Sequence, residues 1–123
     1  MEKPKILIVD DSPVVLEGSA MVLEEAGFEV LTLENPLSVA HLVRKEKPGL
    51  LLIDINMPTV NGATVVKILG QQEAVHRTKV ALYSDLPEAR LRTIAAQCGA
   101  DGFIQKTMDG AGLADQVRRL LQS

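Results

Sequence analysis

Five residues in this sequence are of types that can do chemistry together: Asp10 and Asp11 side by side, then Asp54, Ser84 and Lys106. Each closes or follows a short apolar run, at 6–9, 50–53, 80–83 and 102–104. Three carboxylates about 4 Å apart repel by about 1 kcal/mol per pair in bulk water and by roughly 4 kcal/mol at an effective dielectric of 20, so a cation must compensate. Oxygen ligands from Asp10 or Asp11 together with Asp54, with no neighbouring histidine or cysteine, suit a hard ion that keeps part of its water shell. Mg²⁺ fits best. Lys106 adds a second positive charge. A carboxylate flanked by Mg²⁺ and an ammonium can attack phosphorus, because both cations neutralise charge on the transferring oxygens, and Asp54 then becomes an acyl phosphate.

What brings these residues together must be the fold. Short apolar runs alternate with longer amphipathic ones along the chain, which predicts five strand–helix repeats around a parallel sheet. The runs at 6–9, 50–53 and 80–83 are continuously apolar, as central strands covered on both faces are. Those at 28–32 and 102–104 are shorter or more polar and read as edges. A side-chain acceptor followed by proline marks three helix starts: Ser12-Pro13, Asn35-Pro36, and Asp85 to Pro87. Gly27, Pro48 and Gly99 mark their ends. The last helix carries Leu113, Ala114, Val117, Leu120 and Leu121 on one stripe that should pack on the sheet. In a parallel sheet all C-terminal strand ends share one edge, and ligands bind where the strand order reverses. Asp10, Asp11, Asp54, Ser84 and Lys106 therefore converge there.

The segments Ile-Leu-Ile-Val-Asp10-Asp11-Ser-Pro, Leu-Leu-Ile-Asp54-Ile-Asn56-Met57-Pro58 with Gly62 four residues on, Ala-Leu-Tyr-Ser84, and Gly-Ala-Asp-Gly-Phe103-Ile-Gln-Lys106 together resemble the response-regulator receiver domains of two-component phosphorelays. The resemblance covers essentially the whole chain. It implies a flavodoxin-like (βα)5 three-layer α/β sandwich with sheet order 2-1-3-4-5. By the same resemblance Asp54 is the phosphoacceptor, and Asp10, Asp11, Asp54 and the backbone carbonyl of Asn56 hold Mg²⁺. Lys106 and Ser84 assist, and Ser84 and Phe103 form the switch: the hydroxyl moves to bond a phosphoryl oxygen and the ring turns inward. The implied partners are a histidine kinase or histidine phosphotransfer protein upstream. Downstream, the face of the fourth helix, fifth strand and fifth helix would meet a protein target or a second copy. Such a chain is no enzyme beyond its own phosphorylation and dephosphorylation.

Four positions depart from the receiver pattern. Thr107 replaces the proline that usually follows the lysine, often after a cis bond. Without proline a cis bond costs about 2.5–4 kcal/mol, so a trans bond, an altered loop and an altered start of the last helix are expected. Asp85 replaces a small residue after the switch serine and should slow small anionic phosphodonors. Leu86 cannot orient a hydrolytic water, which predicts a long-lived phosphorylated state. Phe103 keeps the ring of the usual tyrosine and loses its hydroxyl.

Other readings of the same residues are less economical. Asp10 and Asp11 could cap the first helix, but Ser12 is better placed. Asp54 before Asn-Met-Pro could be a turn residue. Two further functions are a receiver-like module that binds a partner without phosphate, and an aspartyl phosphohydrolase. The hydrolase is disfavoured because the haloacid dehalogenase pattern puts Asp-x-Asp after the first strand, and no cap domain is present.

At 123 residues with 46% hydrophobic and 24% charged residues, the chain suits one domain over 1–123 with an ordinary core and no output domain. Its net charge of −3, with short basic stretches at 44–47 and 118–119, offers no footprint for nucleic acid. Cys98, the single cysteine, excludes an internal disulfide and is expected as a reduced, buried small hydrophobe. His41 and His76 gain no role. No apolar run approaches the roughly 20 residues of a membrane span, and the expected location is cytoplasmic.

Overall fold

The computed structural model describes residues 3–58, 60–71, 77–107 and 112–123. Among them, five strands alternate with five α-helices: β1 (Lys5–Val9), α1 (Pro13–Glu25), β2 (Glu29–Leu33), α2 (Val39–Glu46), β3 (Leu50–Ile53), α3 (Gly62–Leu69), β4 (Lys79–Ser84), α4 (Glu88–Cys98), β5 (Gly102–Gln105) and α5 (Leu113–Gln122). All strands pair in parallel, in the order β2-β1-β3-β4-β5. The continuously apolar runs are the three central strands, and both edge strands are the more polar ones. Every residue from Ile6 to Val9 and from Leu50 to Ile53 is sealed from solvent, which requires helices on both faces.

Alternate residues along each strand feed two separate cores. Leu7, Val9, Leu51, Ile53, Val80 and Leu82 pack with α2, α3 and α4. Ile6, Ile8, Leu50, Leu52, Ala81 and Tyr83 pack with α1 and α5, through Leu16, Leu23, Leu113 and Val117.

The helix starts follow the sequence signals in two cases of three. Ser12 Oγ accepts from the Val15 amide ahead of α1. Asn35 Oδ1 accepts from the Leu37 amide, and Pro36–Ser38 make a 3-10 turn before α2 takes over at Val39. Asp85, in contrast, caps nothing: it is exposed, Pro87 occupies the cap position of α4 without a side-chain bond, and the helix begins at Glu88. The physical reason is that Ser84 Oγ already accepts the Leu86 amide, and proline has no amide left to satisfy. At the far end of α4, Gly99 adopts φ +81°, and Ala100 and Gly99 both donate to the Ala95 carbonyl. Cys98 is half-buried rather than buried, because it lies at the α3–α4 margin with its thiol near the Ala95 carbonyl.

Candidate functional site

The same two-residue alternation that builds the cores decides which side chains meet. Continuing β1 and β3 by one residue puts Asp10 and Asp54 on the α1–α5 side of the sheet, and Lys106 continues β5 on that side. Ser84 ends β4 on the opposite parity. The backbone holds each group at the last rung of a ladder: the amides of Asp10, Asp54 and Lys106 donate to the carbonyls of Leu33, Val9 and Ser84 at 3.1, 2.9 and 2.7 Å. Behind Asp54 the chain turns tightly. The Gly62 amide donates to the Ile55 carbonyl, and a Cβ on Gly62 would overlap the Asp54 carbonyl oxygen, so only glycine fits.

Carboxylate oxygens of Asp10, Asp11 and Asp54 lie within 4.8 Å of one another, with Asp11 exposed and the other two buried. The Lys106 ammonium sits 2.6 Å from Asp10 Oδ2 and 3.4 Å from Asp54 Oδ1. Asp10 Oδ1 accepts the Ser12 amide at 3.0 Å. Its Oδ2 is buried without a directed hydrogen bond and meets Lys106 as an ion pair only. Burial pushes the Asp54 carboxyl above its usual range; Lys106 pulls it down, and the Asp10 charge adds to the rise. Burial works to lower Lys106, but the contact with Asp10 and the charges of Asp54 and Asp10 prevail and raise it. The lysine stays charged, and one cation serves two buried anions with a third close by. Three carboxylates within 4.8 Å of one another, served by one ammonium, make an oxygen-only set that suits a further hard cation.

The Ser84 hydroxyl, 1% exposed, accepts the Leu86 amide at 3.2 Å and so is tied into the β4–α4 loop. Gln105, at the end of β5, reinforces that tie by donating from Nε2 to the Leu86 carbonyl at 3.0 Å. Phe103 is half-buried against the α2–α4 core, and the Arg92 guanidinium stands 5.7 Å from its ring centroid. Asn56 is exposed and bridges to Asn61, and its backbone amide lowers the Asp54 pKa.

A family model, described as the response regulator receiver domain, matches residues 6–118. This chain belongs to that family. The receiver domain is 30% identical over 118 residues to protein RcaC of Microchaete diplosiphon, covering 96% of this chain and 18% of that protein. To protein PilH of Pseudomonas aeruginosa it is 30% identical over 117 residues, covering 95% and 97%. The solved structure of Vibrio cholerae chemotaxis protein CheY4 superposes with a TM-score of 0.87 at 24% identity, over 97% of this chain and 99% of that one, a likeness of fold. The chain spans about half the length of several curated relatives, or less. Receiver domains are signalling modules, and no described helix is long and apolar enough to cross a membrane.

The receiver domain's departures lie around the site as the strand ends require. Lys106–Thr107 is trans, as expected without proline, and Thr107 is exposed. The altered loop expected beyond it falls at 108–111, outside the described residues; α5 starts at Leu113 after a left-handed Gly112 with no side-chain cap. Asp85 is exposed beside Ser84, and Leu86 is half-buried against the α2–α4 core. His41 is exposed on α2, and His76 lies outside the described residues.

Sequence reasoning gave no role to Tyr83 or Ser19. Both are buried, their hydroxyls lie 2.7 Å apart, and the Lys106 ammonium stands 5.4 Å from the Tyr83 ring centroid. Burial raises the phenol pKa, against lowering by Ser19 and Lys106, so it stays protonated. A signal was available: Leu16, Ser19 and Leu23 fall on one stripe of α1, and a serine on a core stripe needs a polar partner.

Proposed function

We propose that this receiver domain accepts a phosphoryl group on Asp54 from a histidine kinase or histidine phosphotransfer protein and reports it through a protein-interaction surface. The observation that carries this reading is the Lys106 ammonium shared between Asp10 and Asp54, whose carboxylate oxygens lie within 4.8 Å of each other and of one from Asp11. An Asp54 carboxylate oxygen attacks phosphorus and forms an O–P bond. The bond from phosphorus to the donor imidazole nitrogen breaks, and its electron pair stays on the imidazole. Lys106 neutralises charge on the transferring oxygens. Asp10, Asp11, Asp54 and the Asn56 carbonyl would hold Mg²⁺, which when bound supplies the remaining charge neutralisation.

Once Asp54 is phosphorylated, the Ser84 hydroxyl has a stronger acceptor than its present role allows. Leaving the Leu86 amide to donate to a phosphoryl oxygen frees the β4–α4 loop, and Phe103 turns into the space vacated. The surface changed is the α4–β5–α5 face, which meets a protein target or a second copy. This is a two-state element biased by one added charge. Asp85 narrows the entrance to small anionic donors, and Leu86 offers no polar side chain to a hydrolytic water.

The test is intact mass after incubation with Mg²⁺ and acetyl phosphate or phosphoramidate, beside Asp54→Asn and a Mg²⁺-free control. One added phosphoryl group, lost in both controls, is expected. If small donors fail, a phosphotransfer protein is the next donor. Failure with that as well leaves a receiver-like module that binds its partner without phosphate.

A further inference from the structure

Lys106 leaves the sheet at the end of β5, yet its ammonium reaches carboxylates at the ends of β3 and β1, two and three strands away. Its side chain must therefore cross the end of β4 on the α1–α5 side. The residue β4 presents there is Tyr83, whose parity matches Asp10, Asp54 and Lys106 and opposes Ser84. We propose that Tyr83 is a positioning residue for Lys106, a seat on which the ammonium rests while it serves Asp10 and Asp54.

Three observations support the role. The distance of 5.4 Å from Nζ to the ring centroid lies within the range where a cation is attracted by the ring's negative face. The ring is fixed at both ends: its backbone pairs with Ile104 across β4–β5, and its hydroxyl shares a 2.7 Å hydrogen bond with Ser19 in the middle of α1. An aromatic face also suits a lysine that must exchange partners. It attracts the ammonium without binding a particular proton, so Lys106 can turn from Asp54 toward a phosphoryl oxygen without leaving its seat. A carboxylate in that place would compete with the phosphoryl group, and an aliphatic side chain would give the ammonium nothing.

Ser19 links the site to the first helix through the same ring. The ring borders a cavity of about 470 Å³ between α1 and the start of α5, lined also by Val15, Val22 and Leu113. Replacing the ring with a smaller side chain therefore enlarges an existing hollow.

The role rests on the phosphoryl-transfer reading, but one arm of its test does not need phosphorylation. In uniformly ¹³C-labelled protein, the Lys106 ε-methylene signal, assigned by its absence from Lys106→Arg, is expected to be shifted upfield by the ring and to show cross-relaxation to the Tyr83 ring protons. Tyr83→Phe keeps the upfield position, and Tyr83→Leu moves it downfield. In the second arm, phosphorylation of Tyr83→Leu by phosphoramidate is expected to be about tenfold slower than wild type, with Tyr83→Phe restoring most of the rate. Absence of cross-relaxation in the wild-type protein overturns the proposal, and that measurement needs no variant to fold. A Tyr83→Leu protein that is phosphorylated at the wild-type rate overturns it too. If the wild-type protein takes no phosphoryl group, the phosphoryl-transfer reading fails while the magnetic-resonance arm still decides where Lys106 sits.

Discussion

The two faces of the sheet divide the labour. On the α1–α5 side stand the charges, buried Asp10 and Asp54 and half-buried Lys106, with the buried Tyr83–Ser19 pair behind them, fixed by ladder amides and short contacts. On the α2–α4 side stand Ser84 and Phe103, whose backbones share the sheet ladder but whose surroundings are tied singly: the serine hydroxyl on a loop amide, Gln105 on a loop carbonyl, and a guanidinium over the ring. The difference teaches where rigidity is needed and where it is not. In the proposed phosphoryl transfer, charges that meet the transferring group within hydrogen-bond distance would gain from being pre-positioned. Groups that change place in the proposed switch would gain from restraints worth no more than the new bond they form.

The comparison breaks most visibly at Lys106. Lys106→Met leaves Asp10 buried beside Asp54 with its ion-pair partner gone, and removal of one partner of a buried pair should cost about 3 kcal/mol in urea unfolding at pH 7. Part of the loss should return with saturating Mg²⁺. Because the folded-state pKa of Lys106 is raised above 10.5, its stabilisation is fully present at neutral pH. It fades as the pH rises through the folded value, so the gap between variant and wild type should close only in strongly alkaline solution.

Asp54 tests the same face with the opposite sign. Its folded-state pKa lies above 3.8, so the ionised group costs stability at neutral pH, and that cost disappears as the pH falls below 3.8. In metal-free buffer Asp54→Asn should be more stable than wild type by about 1 kcal/mol at pH 7, as removal of a functional-site strain commonly gives. The gain should shrink toward pH 4. Thermal unfolding across pH measures both statements, and a variant less stable than wild type at pH 7 would mean that the Lys106 contact outweighs burial.

The smallest effect belongs to the other face. Arg92→Ala removes the guanidinium over Phe103 and an exposed pair with Glu88 at 3.7 Å; the first is worth about 0.5–1 kcal/mol and the second little. Global stability should hardly change, while the Phe103 ring signals should shift toward those of an inward-turned ring before any phosphoryl group is added. Unchanged ring signals would mean that packing against the α2–α4 core, rather than Arg92, sets the ring's position.

Most of the fold, and the sheet edge at which the five candidate residues gather, were legible in the sequence because both follow from simple periodicities. Strands buried on both faces read as unbroken apolar runs, and a parallel sheet brings the residues after those runs to one edge. The caps at Ser12 and Asn35 were legible because a side-chain acceptor before proline acts locally. Asp85 misled for the same local reason: its spacing to Pro87 resembles a cap, but Ser84, one residue earlier, already serves the loop. Cys98 was placed too deep, because an apolar helical stretch does not say which of its residues lies at the rim.

What the sequence by itself determined is the order of elements, the edge at which Asp10, Asp11, Asp54, Ser84 and Lys106 collect, and the family they belong to, because these depend on residue type at fixed spacing. Only the tertiary structure decided that Lys106 spans from β5 to β1, that Tyr83 lies beneath it anchored by Ser19, that Gln105 bonds the Leu86 carbonyl, and that Arg92 stands over Phe103. Those are contacts between residues 11 to 96 positions apart, and no local pattern encodes which side chain will stand opposite which across a packed interface.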